Sequence, residues 1–423
     1  MATPELLVWT ENYWIGGCDR FLADLIRALD DWPVRISLAG NEHPAFDAWL
    51  GARVPDVLPR ETLPIANLVR SPLHELERRT RRFAGRPRAV DAGYEASSKE
   101  PLARAAAAAA VRYGQDAVNL RRLVMLMRHR RPDVLLINNG GYPGGESCRV
   151  AAVAARRAGV PRILHFVHNM ANPPAWPQPL ERAFDRRIDA ATDVWITAAG
   201  RAGRALAARL AVETERVHTV HYGLPARSAS SAQSSAPAAD LGYADDAFRL
   251  VAVANLEPRK GIGVLLEALA AVRDRGVAVR TAIIGDGPLR APLAERTLQL
   301  GLDDRVRFTG WRDDVDDILD AAEALVLPSI SHECLPYVIL EAMAHHLPVV
   351  STDVAGIPEM VRDGATGRVV APGDAAALAD ALDQLVCLED RGRAMGDRGH
   401  ARLEAHFTVE RMTREMAALM GLC

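Results

Sequence analysis

Short apolar runs alternate with amphipathic helical patterns along almost the whole chain, and this alternation restricts the fold more than any other feature. In the first half, a glycine-containing loop precedes a helical pattern that begins near Asp19. Strand-like runs lie at 6–9, 34–38, 133–137, 162–167, 193–196 and 217–220. Strands separated by helices of this length form a parallel sheet with right-handed crossovers. The first half therefore predicts a doubly wound α/β domain.

The second half repeats the pattern. Its strand-like runs lie at 248–253, 278–284, 306–308, 324–327, 348–350 and 367–370. Residues 226–240 are rich in Ser and Ala without periodicity, which is typical of a linker. We predict Rossmann-like domains at 1–225 and 241–405, joined by this linker, and a helix at 406–423 that packs back toward the N-terminal domain. Ligands of such sheets bind beyond the carboxyl ends of the strands, here expected in a central cleft.

Residues 70–131 form a basic segment inside the first domain. They hold 15 Arg or Lys residues against 6 Asp or Glu, and an alanine run at 105–110 indicates a helix. A basic helical insertion on a mildly acidic chain suits contact with anionic lipid or an anionic acceptor. The alternative is a solvated helical insertion in a chain that is rich in arginine.

Charge and cysteine content narrow the class of protein. A formal net charge of −3 argues against general nucleic-acid binding, and no apolar stretch approaches the ~18 residues of a membrane span. The first residues lack the basic start and the cleavage site of a secretory peptide. Five scattered cysteines form no CxxC pair and are expected to be reduced thiols. These features predict a cytoplasmic protein.

Lysine is almost absent from the chain, which makes Lys260 conspicuous. The sequence has 49 arginines and two lysines, Lys99 and Lys260. Lys260 follows a predicted strand and stands between Arg259 and Gly261. A compact ammonium on a flexible stem can approach a phosphate in ways that a planar guanidinium cannot. The segment predicts an anion site, the alternative being a surface lysine without a ligand.

Two carboxylates, Glu333 and Glu341, follow the predicted strand at 324–327. Glu333 lies in a loop, and Glu341 lies in an apolar helical pattern. A charged group beside an apolar helix needs polar partners, and the hydroxyls of a bound sugar or ribose are suitable ones. The start of the same helix offers backbone N–H groups that suit phosphate. The alternative for Glu341 is a cap or an ion pair at the surface.

The segment 333–344 resembles the E-x7-E signature of retaining glycosyltransferases with the GT-B fold, specifically family 4. The similarity continues in further segments of the second half, at 258–261, 284–288, 348–359, 363–367 and 371–374. In the first half, Ile15-Gly16-Gly17 is similar to the family's glycine loop, and 166–169 is similar to its cleft histidine segment. The resemblance covers almost the whole chain and implies two Rossmann-like domains that face a central cleft.

The resemblance implies that the second domain binds a nucleotide-diphosphate sugar. Lys260 and Arg259 would neutralise the diphosphate as it leaves, the step at which negative charge develops most. Glu341 would bind the ribose hydroxyls, and Glu333 would hold hydroxyls of the donor sugar. The E-x7-E carboxylates and the cationic pair together would form the donor site.

Further roles implied by the resemblance fall on main-chain groups and on the first domain. Backbone N–H groups around Leu335 and Tyr337 would add to the phosphate cradle. His168 would approach the sugar across the cleft. Gly16 and Gly17 would let the main chain come close to phosphate or acceptor without a Cβ in the way. Catalytic roles are expected for Glu333, His168 and Lys260.

The resemblance also implies an enzyme without a bound metal or cofactor, because cationic side chains and a helix terminus take the role of a metal. Retention of configuration is likewise implied by the family. A retaining glycoside hydrolase uses two carboxylates to form and break a covalent sugar ester. No second carboxylate with a nucleophile's role is identified in this sequence, which favours front-face attack by the acceptor.

Three positions depart from the family pattern. Asn255 stands where the family often has an arginine, so Lys260 is expected to carry more of the leaving-group charge, with Arg259 as compensation. Pro336 removes one N–H from the expected phosphate cradle. His345-His346 replaces a small residue and a glycine, and adjacent helical residues diverge by ~100°, which argues against a shared metal.

The predicted function is transfer of a sugar in cell-surface glycan assembly, for example of exopolysaccharide or lipopolysaccharide. The acceptor would be a glycan or a lipid-linked molecule, with peripheral contact at the inner face of an anionic membrane. A small-molecule metabolite is an alternative acceptor. Two further alternatives are a nucleotide-sugar epimerase with the same fold and a non-catalytic binding protein. The E-x7-E pattern argues against the epimerase, and the presence of Lys260, Glu333 and Glu341 argues against the binding protein.

Overall fold

The computed structural model describes residues 3–12, 16–54, 61–64, 102–174, 178–226, 241, 243 and 247–422. The predicted linker, apart from residue 226, and residues 70–101 of the basic segment lie outside the described residues. The chain divides into two compact units, Met1–Val220 with Met412–Cys423 and His221–Arg411.

The first unit contains a parallel sheet in which seven described strands follow the order β3-β2-β1-β4-β5-β6-β7. The strands are β1 (Glu5–Thr10), β2 (Arg35–Asn41), β3 (Glu61–Leu63), β4 (Val134–Asn139), β5 (Arg162–Val167), β6 (Val194–Thr197) and β7 (Val217–Thr219). All six predicted strands are present. The three-residue β3 was not predicted, because its half-exposed residues are too few to show a periodic pattern.

Helices pack against this sheet. They are α1 (Gly17–Ala28), α2 (Pro44–Arg53), α3 (Leu102–Arg130), α4 (Glu146–Ala158), α5 (Gln178–Ala191) and α6 (Gly200–Leu210). The alanine run of the basic segment lies in α3, as predicted. The last turns of α3 belong to the core, since Leu123, Leu126 and Met127 are buried among the side chains of β4 and α4. Apolar residues on one face of α3 therefore anchor the end of the basic segment.

A cluster of charged side chains is buried between the helices of the first unit. Arg209 of α6 donates to Glu181 Oε2 and to Asp185 Oδ2, both on α5 and both at 2.9 Å. Arg149 of α4 lies 3.4 Å from Glu181 Oε2, and Tyr142 Oη donates to Asp185 at 2.9 Å. All five residues are buried. Two carboxylates thus hold two guanidinium groups inside the unit.

The second unit contains a parallel sheet in which six described strands follow the order β10-β9-β8-β11-β12-β13. The strands are β8 (Phe248–Val253), β9 (Val279–Ile284), β10 (Val306–Gly310), β11 (Ala324–Leu327), β12 (Val349–Thr352) and β13 (Gly367–Val370). The helices are α7 (Ile262–Asp274), α8 (Arg290–Gln299), α9 (Val315–Ala321), α10 (Tyr337–Ala344), α11 (Ile357–Met360), α12 (Ala375–Val386) and α13 (Arg393–His406). The last helix, α14 (Val409–Met420), begins in this unit and belongs to the first unit from Met412 onward.

Both units are doubly wound, because the first strand of each unit lies inside its sheet and the later strands lie on both sides of it. The apolar side chains of β8 and β11 and of the helix α7 form the core of the second unit. The predicted pair of Rossmann-like domains is confirmed. Within the described ranges, none of the helices combines the length and the apolarity that crossing a membrane requires.

Candidate functional site

The turn that carries Lys260 is held against the loop after β11. Pro258–Lys260 form one turn of 3₁₀ helix, and Gly261 follows with a positive φ of 67°. A Cβ at Gly261 would lie 2.0 Å from the carbonyl oxygen of Pro328, so a side chain there would collide with the backbone. Ile330 N donates to Arg259 O at 2.8 Å. The two loops therefore meet through backbone contacts beyond the carboxyl ends of β8 and β11.

Lys260 and Glu333 form an ion pair at this meeting point. Lys260 Nζ contacts Glu333 Oε1, and Arg259 Nη1 lies 3.6 Å from the same oxygen. Ser329 Oγ donates to Glu333 Oε1 at 2.8 Å. The side chains of Lys260 and Glu333 are 13% and 7% exposed. The structure thus brings together the cation and the carboxylate that the sequence singled out separately.

Arg259 is fixed by a second set of contacts. Its Nε donates to Glu257 Oε2 at 2.9 Å, and its Nη1 donates to the carbonyl oxygen of His332 at 3.3 Å. The exposed Asn255 stands earlier in the same segment. Arg259 therefore adds positive charge next to Lys260.

Helix α10 begins beside Glu333 and carries the other predicted donor residues of this unit. Its N-cap is Pro336, which provides no side-chain acceptor for the first turn. The side chains of Leu335 and Tyr337 are buried, and Tyr337 stacks on Tyr222 at 4.9 Å between ring centroids. Leu335, whose side chain is apolar, therefore offers only its main-chain groups to a polar ligand. Glu341 lies on the next turn and is half-buried.

The histidine pair after α10 does not form a shared site. His345 Nδ1 lies 2.7 Å from Asp320 Oδ1, whereas His346 Nδ1 lies 2.8 Å from Asp397 Oδ1. The two rings therefore point to different partners on different helices. Across the described residues, no group of three or more His, Cys, Asp or Glu side chains is arranged to hold a metal ion.

In the first unit, Gly16 is the N-cap of α1 and Gly17 is its first residue. Both are exposed, and Gly16 N donates to Asp19 Oδ2 at 2.8 Å. Gly16 has an extended φ of −152°, and a Cβ there would meet no atom within 4 Å. Neither backbone conformation nor packing within the described residues requires a glycine at Gly16. Burial raises the pKa of the Asp19 carboxyl, which caps this turn, to about 6.

His168 follows the end of β5 and is buried. Its Nε2 lies 2.6 Å from Asn138 Oδ1, and its ring stacks on Phe166 at 4.1 Å between centroids. Asn138 Nδ2 donates to Thr10 Oγ1 at 3.2 Å, so in this arrangement Asn138 Oδ1 accepts the Nε2 proton of His168. Burial, with the nearby His165, lowers the pKa of His168 to about 3. His168 is therefore a neutral imidazole near pH 7.

Because two histidines are buried, we expect the protein to lose stability in acid. Burial lowers the pKa of His165 and of His168 to about 3. The unfolded chain takes up these protons near pH 6.5 and the folded chain does not, so stability falls as the pH drops below 6.5. Between pH 6.5 and 5 we expect a loss of about 2 kcal/mol for each histidine. Urea unfolding at pH 6.5 and at pH 5 measures this loss in the free energy of unfolding. His165→Phe should make the loss smaller by about 2 kcal/mol, and an equal loss in both proteins would contradict the prediction.

Sequence reasoning missed two residues that hold the predicted ones in place. Ser329 contacts Glu333, and Asn138 contacts His168. Both follow or end an apolar strand, so a polar residue at the carboxyl end of a predicted strand was the available signal. The partners themselves depend on which strands are neighbours in the sheet, which the sequence pattern leaves open.

Comparisons with known proteins identify related sequences, chiefly for the second unit. Residues 247–387 match the family model Glycosyl transferases group 1. Over 183 residues, the chain is 38% identical to the lipopolysaccharide core biosynthesis glycosyltransferase LpsE of Rhizobium meliloti, covering 43% of this chain and 52% of that protein. Over 181 residues, it is 34% identical to the putative colanic acid biosynthesis glycosyltransferase WcaL of Escherichia coli, covering 41% and 45%. The chain thus spans about half the length of these curated relatives.

The fold is similar to solved structures over nearly its full length. HepE of Anabaena, in complex with UDP, superposes with a TM-score of 0.73 at 18% identity, covering 99% of this chain and 100% of that one. HepE in complex with UDP-glucose gives a TM-score of 0.71 at 19% identity, again covering 99% and 100%. The predicted GT-B fold is confirmed, and residues 247–387 of the second unit match the model of the glycosyl transferases group 1.

Proposed function

We propose that the chain is a retaining glycosyltransferase that moves a sugar from a nucleotide-diphosphate-sugar donor to an acceptor hydroxyl. The observation that carries this proposal is the contact of Lys260 and Arg259 with Glu333. It puts cations suited to a departing diphosphate beside a carboxylate suited to sugar hydroxyls. The UDP and UDP-glucose complexes of HepE support a nucleotide-sugar donor.

Lys260 and Arg259 would act on the leaving group. As the bond between the anomeric carbon and the phosphate oxygen lengthens, negative charge grows on the diphosphate, and fixed cations stabilise that charge without reorganising. Backbone N–H groups at Leu335 and Tyr337 would complete the phosphate cradle, and Glu341 would accept hydrogen bonds from the ribose hydroxyls. This set supplies the charge that a metal ion provides in other transferases, so no metal is needed.

Residues of the first unit would serve the sugar and the acceptor. His168 is neutral, so it would hydrogen-bond to the donor sugar and would not act as a proton donor near pH 7. Gly16 and Gly17 expose main chain at the start of α1, where a ligand could approach without meeting a side chain. With no nucleophilic carboxylate assigned, the acceptor hydroxyl would attack on the face from which the diphosphate leaves.

The proposed setting is cell-surface glycan assembly. It is supported by the names of the relatives, which refer to lipopolysaccharide core and colanic acid biosynthesis. The acceptor would be a growing glycan or a lipid-linked sugar, reached from the cytoplasm. The basic segment would contact the anionic inner face of the membrane. A small-molecule acceptor is the second candidate, since the donor site places no restriction on the acceptor.

A panel of nucleotide sugars tests the proposal. UDP-glucose is the first donor tested. The release of nucleoside diphosphate is measured with and without EDTA. We expect slow release without acceptor, faster transfer when oligosaccharide or lipid-linked acceptors are added, and no loss with EDTA. NMR of the product should show the anomeric configuration of the donor. Epimerised donor without acceptor would replace the proposal by an epimerase, and absence of both binding and turnover would indicate a non-catalytic protein.

A further inference from the structure

The two carboxylate oxygens of Glu333 have different surroundings. Oε1 is contacted by Lys260 Nζ, by Ser329 Oγ at 2.8 Å and by Arg259 Nη1 at 3.6 Å. Within the described residues, both side-chain hydrogen bonds to Glu333 end on Oε1 and none ends on Oε2. A carboxylate has about four acceptor positions on its two oxygens. Here three donors crowd around one oxygen and leave the other to accept from a ligand.

Ser329 is the neutral member of this group and is itself held in place. It is fully buried after β11, and its carbonyl oxygen accepts a hydrogen bond from Thr352 Oγ1, at the end of the neighbouring strand β12. Its Oγ therefore approaches Glu333 from a fixed point on the sheet edge. The two cations, by contrast, sit on longer side chains with more rotatable bonds.

We propose that Ser329 is a positioning residue that orients Glu333, so that Oε1 faces the cations and Oε2 accepts a hydrogen bond from a hydroxyl of the donor sugar. This inference rests on the proposed transferase function. Without the Ser329 hydroxyl, the carboxylate is free to turn both oxygens toward Lys260 and Arg259. In that arrangement no oxygen of Glu333 would be left to accept a hydrogen bond from the donor-sugar hydroxyl.

Ser351 supplies a matched control for the loss of one buried hydroxyl. It is fully buried on β12, and its Oγ donates to the carbonyl oxygen of Leu327 at 2.6 Å. Ser351→Ala removes a hydroxyl of the same size from the same sheet without touching Glu333. Any loss of packing or stability common to the two sites should appear in both variants.

The first test compares Ser329→Ala with Ser351→Ala in turnover and binding. In Ser329→Ala, we expect kcat/KM for the nucleotide sugar to fall about 10- to 100-fold, the loss typical of one hydrogen bond to a charged group. We expect affinity for the free nucleoside diphosphate, which lacks the sugar, to change by less than about threefold. Ser351→Ala should stay within about threefold of the wild type in both. Equal losses in the two variants would overturn the proposal, and so would a loss in diphosphate affinity as large as the loss in kcat/KM.

The second test needs no turnover and uses the rarity of lysine. Selective ¹⁵N labelling of lysine gives two side-chain ammonium signals, from Lys99 and Lys260, and Lys99→Arg assigns them. We expect the Lys260 signal to move in Ser329→Ala and in Glu333→Gln, and to stay in place in Ser351→Ala. An unmoved Lys260 signal in Ser329→Ala would overturn the positioning role. If no nucleotide sugar is turned over but the signal moves as expected, the proposed function fails and the positioning of Glu333 stands.

Discussion

Replacement of Lys260 by alanine should lower the rate of sugar transfer by about 10²- to 10³-fold while the protein stays folded. Loss of one preorganised group that stabilises charge in a transition state has an effect of this size. The loss should fall mainly on kcat, because the charge on the diphosphate grows as the bond to the sugar breaks. Arg259, whose Nη1 lies 3.6 Å from Glu333 Oε1, keeps part of the positive charge at this site. Steady-state kinetics with the donor identified in the panel measure the effect.

Two variants make the Lys260 result specific. Arg296→Ala removes a cation of the same unit that pairs with Glu267 at 3.5 Å on the surface, and such pairs contribute at most about 1 kcal/mol. It should leave transfer unchanged. Lys260→Arg keeps the charge but changes the shape of the donor group, and we expect partial recovery of the rate. Turnover of Lys260→Ala at the wild-type rate would mean that the donor diphosphate binds elsewhere.

Replacement of Glu181 by alanine should reduce the free energy of unfolding by about 3–5 kcal/mol. Glu181 is buried and accepts from Arg209 Nη2 at 2.9 Å, with Arg112 Nη1 also at 2.9 Å and Arg149 Nη2 at 3.4 Å. Without Glu181, Asp185 alone would face the guanidinium groups of Arg149 and Arg209 in the interior. Urea unfolding monitored by circular dichroism measures the loss, which could leave the first unit unfolded at 37 °C.

Glu61→Ala is the control for this prediction. Glu61 pairs with Arg130 at 2.7 Å, but both side chains are about one third exposed. Water solvates either partner when the other is removed, so we expect a loss of at most about 1 kcal/mol. If Glu181→Ala lowers the free energy of unfolding by no more than Glu61→Ala does, the buried carboxylate is not more important for stability than the exposed one, and the prediction is wrong.

The fold could be predicted from the sequence because its signals are local. Apolar runs of three to seven residues alternate with helical patterns, and each run forms a strand of one of the two parallel sheets. One strand, β3 (Glu61–Leu63), was not predicted. Its place at the sheet edge depends on pairing with β2 and not on its own composition. The core position of Leu123, Leu126 and Met127 on α3 was also missed, since a basic composition hid their apolar face.

The sequence by itself determined two doubly wound domains and the residues of the donor motifs, because helix and strand periods and motif spacing are properties of neighbouring residues. The tertiary structure decided which atoms meet. It placed Lys260 and Ser329 on one oxygen of Glu333, and it buried Glu181 against Arg209 of another helix. These contacts join segments that are distant along the chain, so they depend on strand order and on helix packing that no local pattern specifies.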